Sequence, residues 1–98
     1  MKKLIRITAV SIVALCVAGT ASAACYGDYK AKRDNPLQLH YGVIELPQQA
    51  CGSTEAARDV IASRIAVDDW TLLNVLGIFG QDGLAERRES AGRYFLRY

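Results

Sequence analysis

One histidine, His40, stands in a chain of 98 residues, so any imidazole chemistry must run through a single ring. The sequence has no H-E-x-x-H pair, no G-x-S-x-G elbow and no glycine-rich phosphate loop. The common signatures of zinc proteases, serine hydrolases and nucleotide-binding enzymes are therefore missing. C-x-x-C is absent, which removes the usual redox motif, and so is a D-x-D-x-D-G calcium loop. There are no internal repeats and no low-complexity tract.

What is there begins with a leader. Lys2, Lys3 and Arg6 precede a charge-free apolar run from Ile7 to Val17, and small residues follow from Ala18 to Ala24. Basic, apolar and small, in that order, is the layout of a secretory signal peptide. Ala21-Ser22-Ala23 supplies the A-x-A pattern, which places cleavage after Ala23 or one residue later, so 1–23 is read as the leader. No paired arginines precede the apolar run, so the twin-arginine route is not indicated. An uncleaved anchor would have only the stretch 7–24, whose last third is Gly, Thr, Ser and Ala. That is at the short end for crossing a bilayer. The expected location is exported, in a periplasm or outside the cell.

Cleavage changes both charge and cysteine count. Of 12 basic residues three leave with the leader, and 9 remain against 10 acidic ones. A near-neutral domain has no electrostatic footprint for nucleic acid. Cys16 also leaves, and Cys25 and Cys51 remain as an even pair in an oxidising compartment, which favours a disulfide. Such a staple adds about 3–4 kcal/mol in the chain-entropy model, a large share for a small core. The competing fate is lipidation of Cys25. The residues before it, Ser22-Ala23-Ala24, lack the leucine that lipoprotein signals usually carry three positions ahead. A thioether on Cys25 and a bond to Cys51 exclude each other.

Hydrophobic periodicity gives the rest. The segment 24–36 is polar and charged and reads as an arm held by the disulfide, ending at Asn35-Pro36. From 37 to 46 a strand is expected, with Leu37, Leu39, Tyr41 and Val43 on the apolar face, His40 on the polar face and a bulge at Gly42. A helix is expected over 53–67, capped by Ser53, with Ala57, Val60, Ile61 and Ile65 inward and Asp68-Asp69 closing it. The apolar run 70–79 reads as a central strand covered on both faces. A turn at 80–83, a short helix over 84–91 ended by Gly92, and a last strand over 93–98 complete the chain. The expected class is α+β: a small two-layer domain over 37–98, with one sheet of about three strands (37–46, 70–79, 93–98) and the long helix on one face. The long helix could serve as a crossover between parallel first and second strands.

The chemical candidates are few. His40 could act as a general base if the fold brought an acid or nucleophile beside it. Cys51, just ahead of a helix N-terminus, sits where a thiolate is stabilised, but Cys25 is a ready disulfide partner. Asp68, Asp69 and Asp82 are accounted for by helix termination and turn chemistry, and no metal or cofactor is called for. Trp70 and the tyrosines could line a groove, although core packing is the simpler account. Arg87, Arg88, Arg93 and Arg97, balanced by Asp82, Glu86 and Glu89, read as a solvated face.

Cys-Tyr-x-Asp-Tyr-Lys-Ala-Lys at 25–32, Leu-His-Tyr-Gly-Val at 39–43, Trp-Thr-Leu-Leu-Asn-Val at 70–75 and Tyr-Phe-Leu-Arg-Tyr at 94–98 resemble a group of small exported bacterial proteins of unknown function. The resemblance covers nearly all of the processed chain. It implies export and carries no activity, so it transfers no functional residue. A looser similarity is to small domains of unknown function that run strand, helix, a GW-x-L strand and a final strand. Here Asp69 stands where that pattern has Gly. The leading expectation is a non-enzymatic binding or interaction domain of the cell envelope, meeting another protein or a second copy of itself. The alternatives are a lipoprotein anchored to a membrane through Cys25, and a small hydrolase or redox enzyme using His40 or Cys51.

Overall fold

A computed structural model describes residues 25–98. The leader expected over 1–23, with Cys16, lies outside the described residues. The elements are β1 (Cys25–Arg33), β2 (Gln38–Leu46), α1 (Thr54–Ile65), β3 (Thr71–Phe79) and α2 (Ala85–Ala91), linked by short 3-10 turns. The fold is α+β: a three-stranded antiparallel sheet in the order β2-β1-β3, with α1 packed on one face.

The arm expected over 24–36 is in fact the middle of the sheet. Residues 25–33 form β1, hydrogen-bonded to β2 on one side and to β3 on the other. Its charges hid a period of two. Cys25, Gly27, Tyr29 and Ala31 point to the α1 face and are buried, while Lys30 and Lys32 point to the other, here called the outer face. A central strand carries charge when only one of its faces lies in the core.

β2 pairs with β1 through nine consecutive residues without a register shift, so the bulge expected at Gly42 is absent. The parity of the core-facing residues is the opposite of that expected. Pairing of Ala31 with His40 and Gly27 with Ile44 puts His40, Gly42, Ile44 and Leu46 on the α1 face. Leu37 and Leu39 are left 63% and 65% exposed. Gly42 is required for a different reason: a Cβ there would stand 2.6 Å from Cζ of the fully buried Tyr29. The ring fills the space that the missing side chain leaves.

β3 is an edge strand rather than a central one, and it pairs antiparallel with β1, not parallel with β2. Leu72, Val75 and Ile78 pack against the core. Two register shifts leave Leu73 and Leu76 without a partner on β1, and both are about half exposed. The helix before β3 behaves as its sequence suggests. Ser53 Oγ accepts from the N–H of Ala56 at 3.1 Å, and Ala57, Ile61 and Ile65 are buried. It is shorter than 53–67, because a 3-10 turn takes over at Ala66–Asp68. Asp69 then adopts the left-handed conformation (φ 68°), and the N–H of Trp70 returns to the carbonyl of Ile65.

The C-terminal strand expected over 93–98 does not form. Gly92 (φ 55°) ends α2, a 3-10 turn spans Gly92–Tyr94, and Leu96 is again left-handed (φ 56°). These bends prevent an extended run. The segment touches the free edge of β2 at one place, where Val43 bridges Phe95 and the N–H of Leu96 donates to the Val43 carbonyl at 2.8 Å. It thereby crosses from the outer face, where α2 lies, to the α1 face, where Tyr94 and Tyr98 pack against the core.

Candidate functional site

The two cysteines are joined. Cys25, the first residue of β1, is bonded to Cys51, two residues before the cap of α1, with Cα atoms 6.0 Å apart. The bond ties the central strand to the helix that covers it. With both sulfurs in it, neither is a free nucleophile, and the Cys25 sulfur is not available for a thioether.

His40 is not on a polar face but inside, 8% exposed, at the centre of an aromatic cluster. Its ring stacks on Tyr94 with centroids 3.7 Å apart, and meets Trp70 edge-on at 4.2 Å. Its Nε2 lies 2.9 Å from the hydroxyl of Tyr29. The Arg33 guanidinium lies over the far component of the cluster, 4.1 Å from the Trp70 ring centre. Burial lowers the pKa of His40 to about 4, and Arg33 pushes in the same direction. Burial, with Tyr98 and Tyr94 adding to it, raises that of Tyr29. The ring is therefore neutral near pH 7, and Nε2 shares one hydrogen bond with the Tyr29 hydroxyl whose direction follows the ring's tautomer. Nδ1 is buried and has no partner among the described residues. The structure thus brings together the two candidates His40 and Trp70. It also encloses them, with Tyr29 fully buried beneath and Tyr94 stacked above.

A second polar group was not anticipated from the sequence. Asp28, on the outer face of β1, is buried. Its Oδ2 accepts from the Tyr41 hydroxyl at 2.9 Å and from Arg87 Nε at 3.0 Å. Arg87 also donates to the Gly83 carbonyl at 2.8 Å and lies 3.9 Å over the Phe79 ring. Arg87 is thus not part of a solvated face: it pins α2 to the outer face of the sheet. Burial and the hydrogen bond to Asp28 hold the Tyr41 pKa up at about 12, so that hydroxyl stays protonated. No spacing in the sequence linked Asp28 to Arg87, which lie 59 residues apart. The remaining acidic candidates have local roles. Asp68 accepts from Tyr98 at 2.7 Å, Asp69 ends the turn after α1, and Asp82 lies in the turn Gln81–Gly83.

α2 covers only the end of the outer face near Asp28 and Phe79. The other end is open and holds a shallow cleft of about 280 Å³ lined by Lys30, Leu39, Tyr41 and Leu73. Ala31 and His40, whose side chains belong to the α1 face, also border it. The register shift between Lys30 and Ala31 leaves Leu73 opposite no residue, as an extra residue of β3 beside the cleft. A bulge of this kind re-aims a side chain. Among the described residues no helix is long and apolar enough to cross a membrane. No family model, curated protein or solved structure matches the chain.

Proposed function

We propose that the chain is the precursor of a small exported domain of the bacterial cell envelope, held by its disulfide, that works by binding rather than by catalysis. The observation that carries this is a division of labour. The residues with chemical potential, Cys25, Cys51 and His40, are consumed by the bond and the aromatic cluster. The open end of the outer face meanwhile presents leucines and lysine with no fold-stabilising task. The leader and the disulfide support the same location, because such bonds persist in oxidising compartments.

Expression of the full chain with its own leader, followed by fractionation and intact-mass measurement, tests this. The expected product begins at Ala24 or Cys25, carries no lipid, is recovered outside the cytoplasm and titrates no free thiol. A diacylglyceryl adduct on Cys25, or a reduced product of precursor mass in the cytoplasm, would overturn the proposal.

A further inference from the structure

We infer that the open end of the outer face is a binding site for a single anionic amphiphile, a medium-length aliphatic chain ending in a carboxylate, with the chain on Leu39 and Leu73 and the head at Lys30. The inference rests on the binding role proposed above and adds the chemistry of the ligand. Three observations carry it. The cleft walls are aliphatic: Leu39 is among the most exposed large apolar side chains, and Leu73, from the bulge, faces it across β1. The rim is cationic: Lys30 lines the cleft and has no ion pair among the described residues, and Lys32, on the same face, is matched by Asp34 at 3.2 Å. The Tyr41 hydroxyl already donates its proton to Asp28, so Lys30 is the side-chain donor left in the cleft for an anionic head.

The same charges argue against the other occupants. A second copy stacked face to face would set Lys30 and Lys32 against their own equivalents and bury them, which costs more than the leucines return. Nucleic acid needs a broader basic surface than two lysines on a domain with 9 basic and 10 acidic residues. A cationic amphiphile would meet Lys30 at the rim with like charge.

The test is a titration of the ¹⁵N-labelled processed protein with dodecanoate below its micelle concentration. Dodecyltrimethylammonium and phosphatidylglycerol vesicles are run in parallel. Saturable amide shifts centred on Lys30, Leu39 and Leu73 are expected with dodecanoate alone. Leu73→Ser should weaken binding by at least about tenfold, and Lys30→Gln by about three- to fivefold. Both substitutions are at exposed positions, so unchanged spectra elsewhere certify the fold. Equal shifts with the cationic chain, binding to vesicles but not to the free carboxylate, or no saturable shift at all would each overturn the ligand assignment. None of these outcomes alters the mass and fractionation result, so failure of the ligand is distinguishable from failure of the broader proposal.

Discussion

The two faces of the sheet differ in what their side chains are for. On the α1 face, Tyr29, Ile44, Leu46, Ile61 and Ile65 are fully buried, and the disulfide and the His40 cluster close its two ends. On the outer face one short helix is fastened by a single charged network, and the end that holds the cleft is left uncovered. The difference teaches that residue type alone does not mark a functional surface. Here the histidine, the tryptophan and the two bonded cysteines belong to the packed face, and ordinary leucines and a lysine line the cleft on the open one.

Substitutions can break or sharpen this contrast. The largest effect is expected from the bond that ties β1 to α1: Cys51→Ser, or reduction, should cost about 2–5 kcal/mol in urea unfolding. Next is acid. His40 takes up a proton near its ordinary value of 6.5 in the unfolded chain, whereas the folded ring resists until about 4. Between those values the unfolded state binds more protons, so stability falls as the pH falls, by about 2–3 kcal/mol across the window. Comparing unfolding midpoints of the protein and of His40→Gln from pH 7.5 to 4 (both limits set at roughly a unit outside or at the titration window) should show a flatter profile in the variant. Gly42→Ala should follow at about 1–3 kcal/mol, because its Cβ must displace the Tyr29 ring.

The outer face should respond less. Arg87→Ala removes the ion partner of Asp28 and should cost about 1–3 kcal/mol, toward the lower end because the guanidinium is partly exposed. Pairing it with Asp28→Asn should recover part of the loss, since the buried charge then disappears. Leu39→Ser should change stability by no more than about 0.5 kcal/mol. If thermal or urea unfolding gave Leu39→Ser a cost equal to that of Gly42→Ala, the open end of the outer face would be packed core and the contrast would fail.

How far the fold was legible depended on how local its signals were. Ser53, Glu55 and the 57/61/65 spacing announced α1, and compartment and parity announced the Cys25–Cys51 bond. The central strand was hidden because Asp28, Lys30, Lys32 and Arg33 suggest a solvated arm, and only the pairing on both sides reveals why the alternate residues are inside. β2 was assigned the wrong parity since two leucines outweighed one histidine and one glycine. The burial of His40 needs Trp70 and Tyr94 to arrive from elsewhere in the chain, and the room at Gly42 is filled from the neighbouring strand. The last residues were read as extended because Tyr94, Leu96 and Tyr98 alternate, whereas the positive φ of Leu96 bends the chain around the edge of β2. The cleft had no local signal at all: Lys30, Leu39 and Leu73 come from three strands, and a bulge places the third.

The claim that the packed face serves the fold and the open outer end serves binding is tested most directly by one comparison, dodecanoate affinity in Trp70→Phe beside Leu73→Ser. Trp70→Phe, inside the aromatic cluster, should lower stability yet bind like the parent protein. Leu73→Ser should fold like the parent and lose binding. Loss of binding in Trp70→Phe with retention in Leu73→Ser would contradict the account and place the site among the aromatic rings.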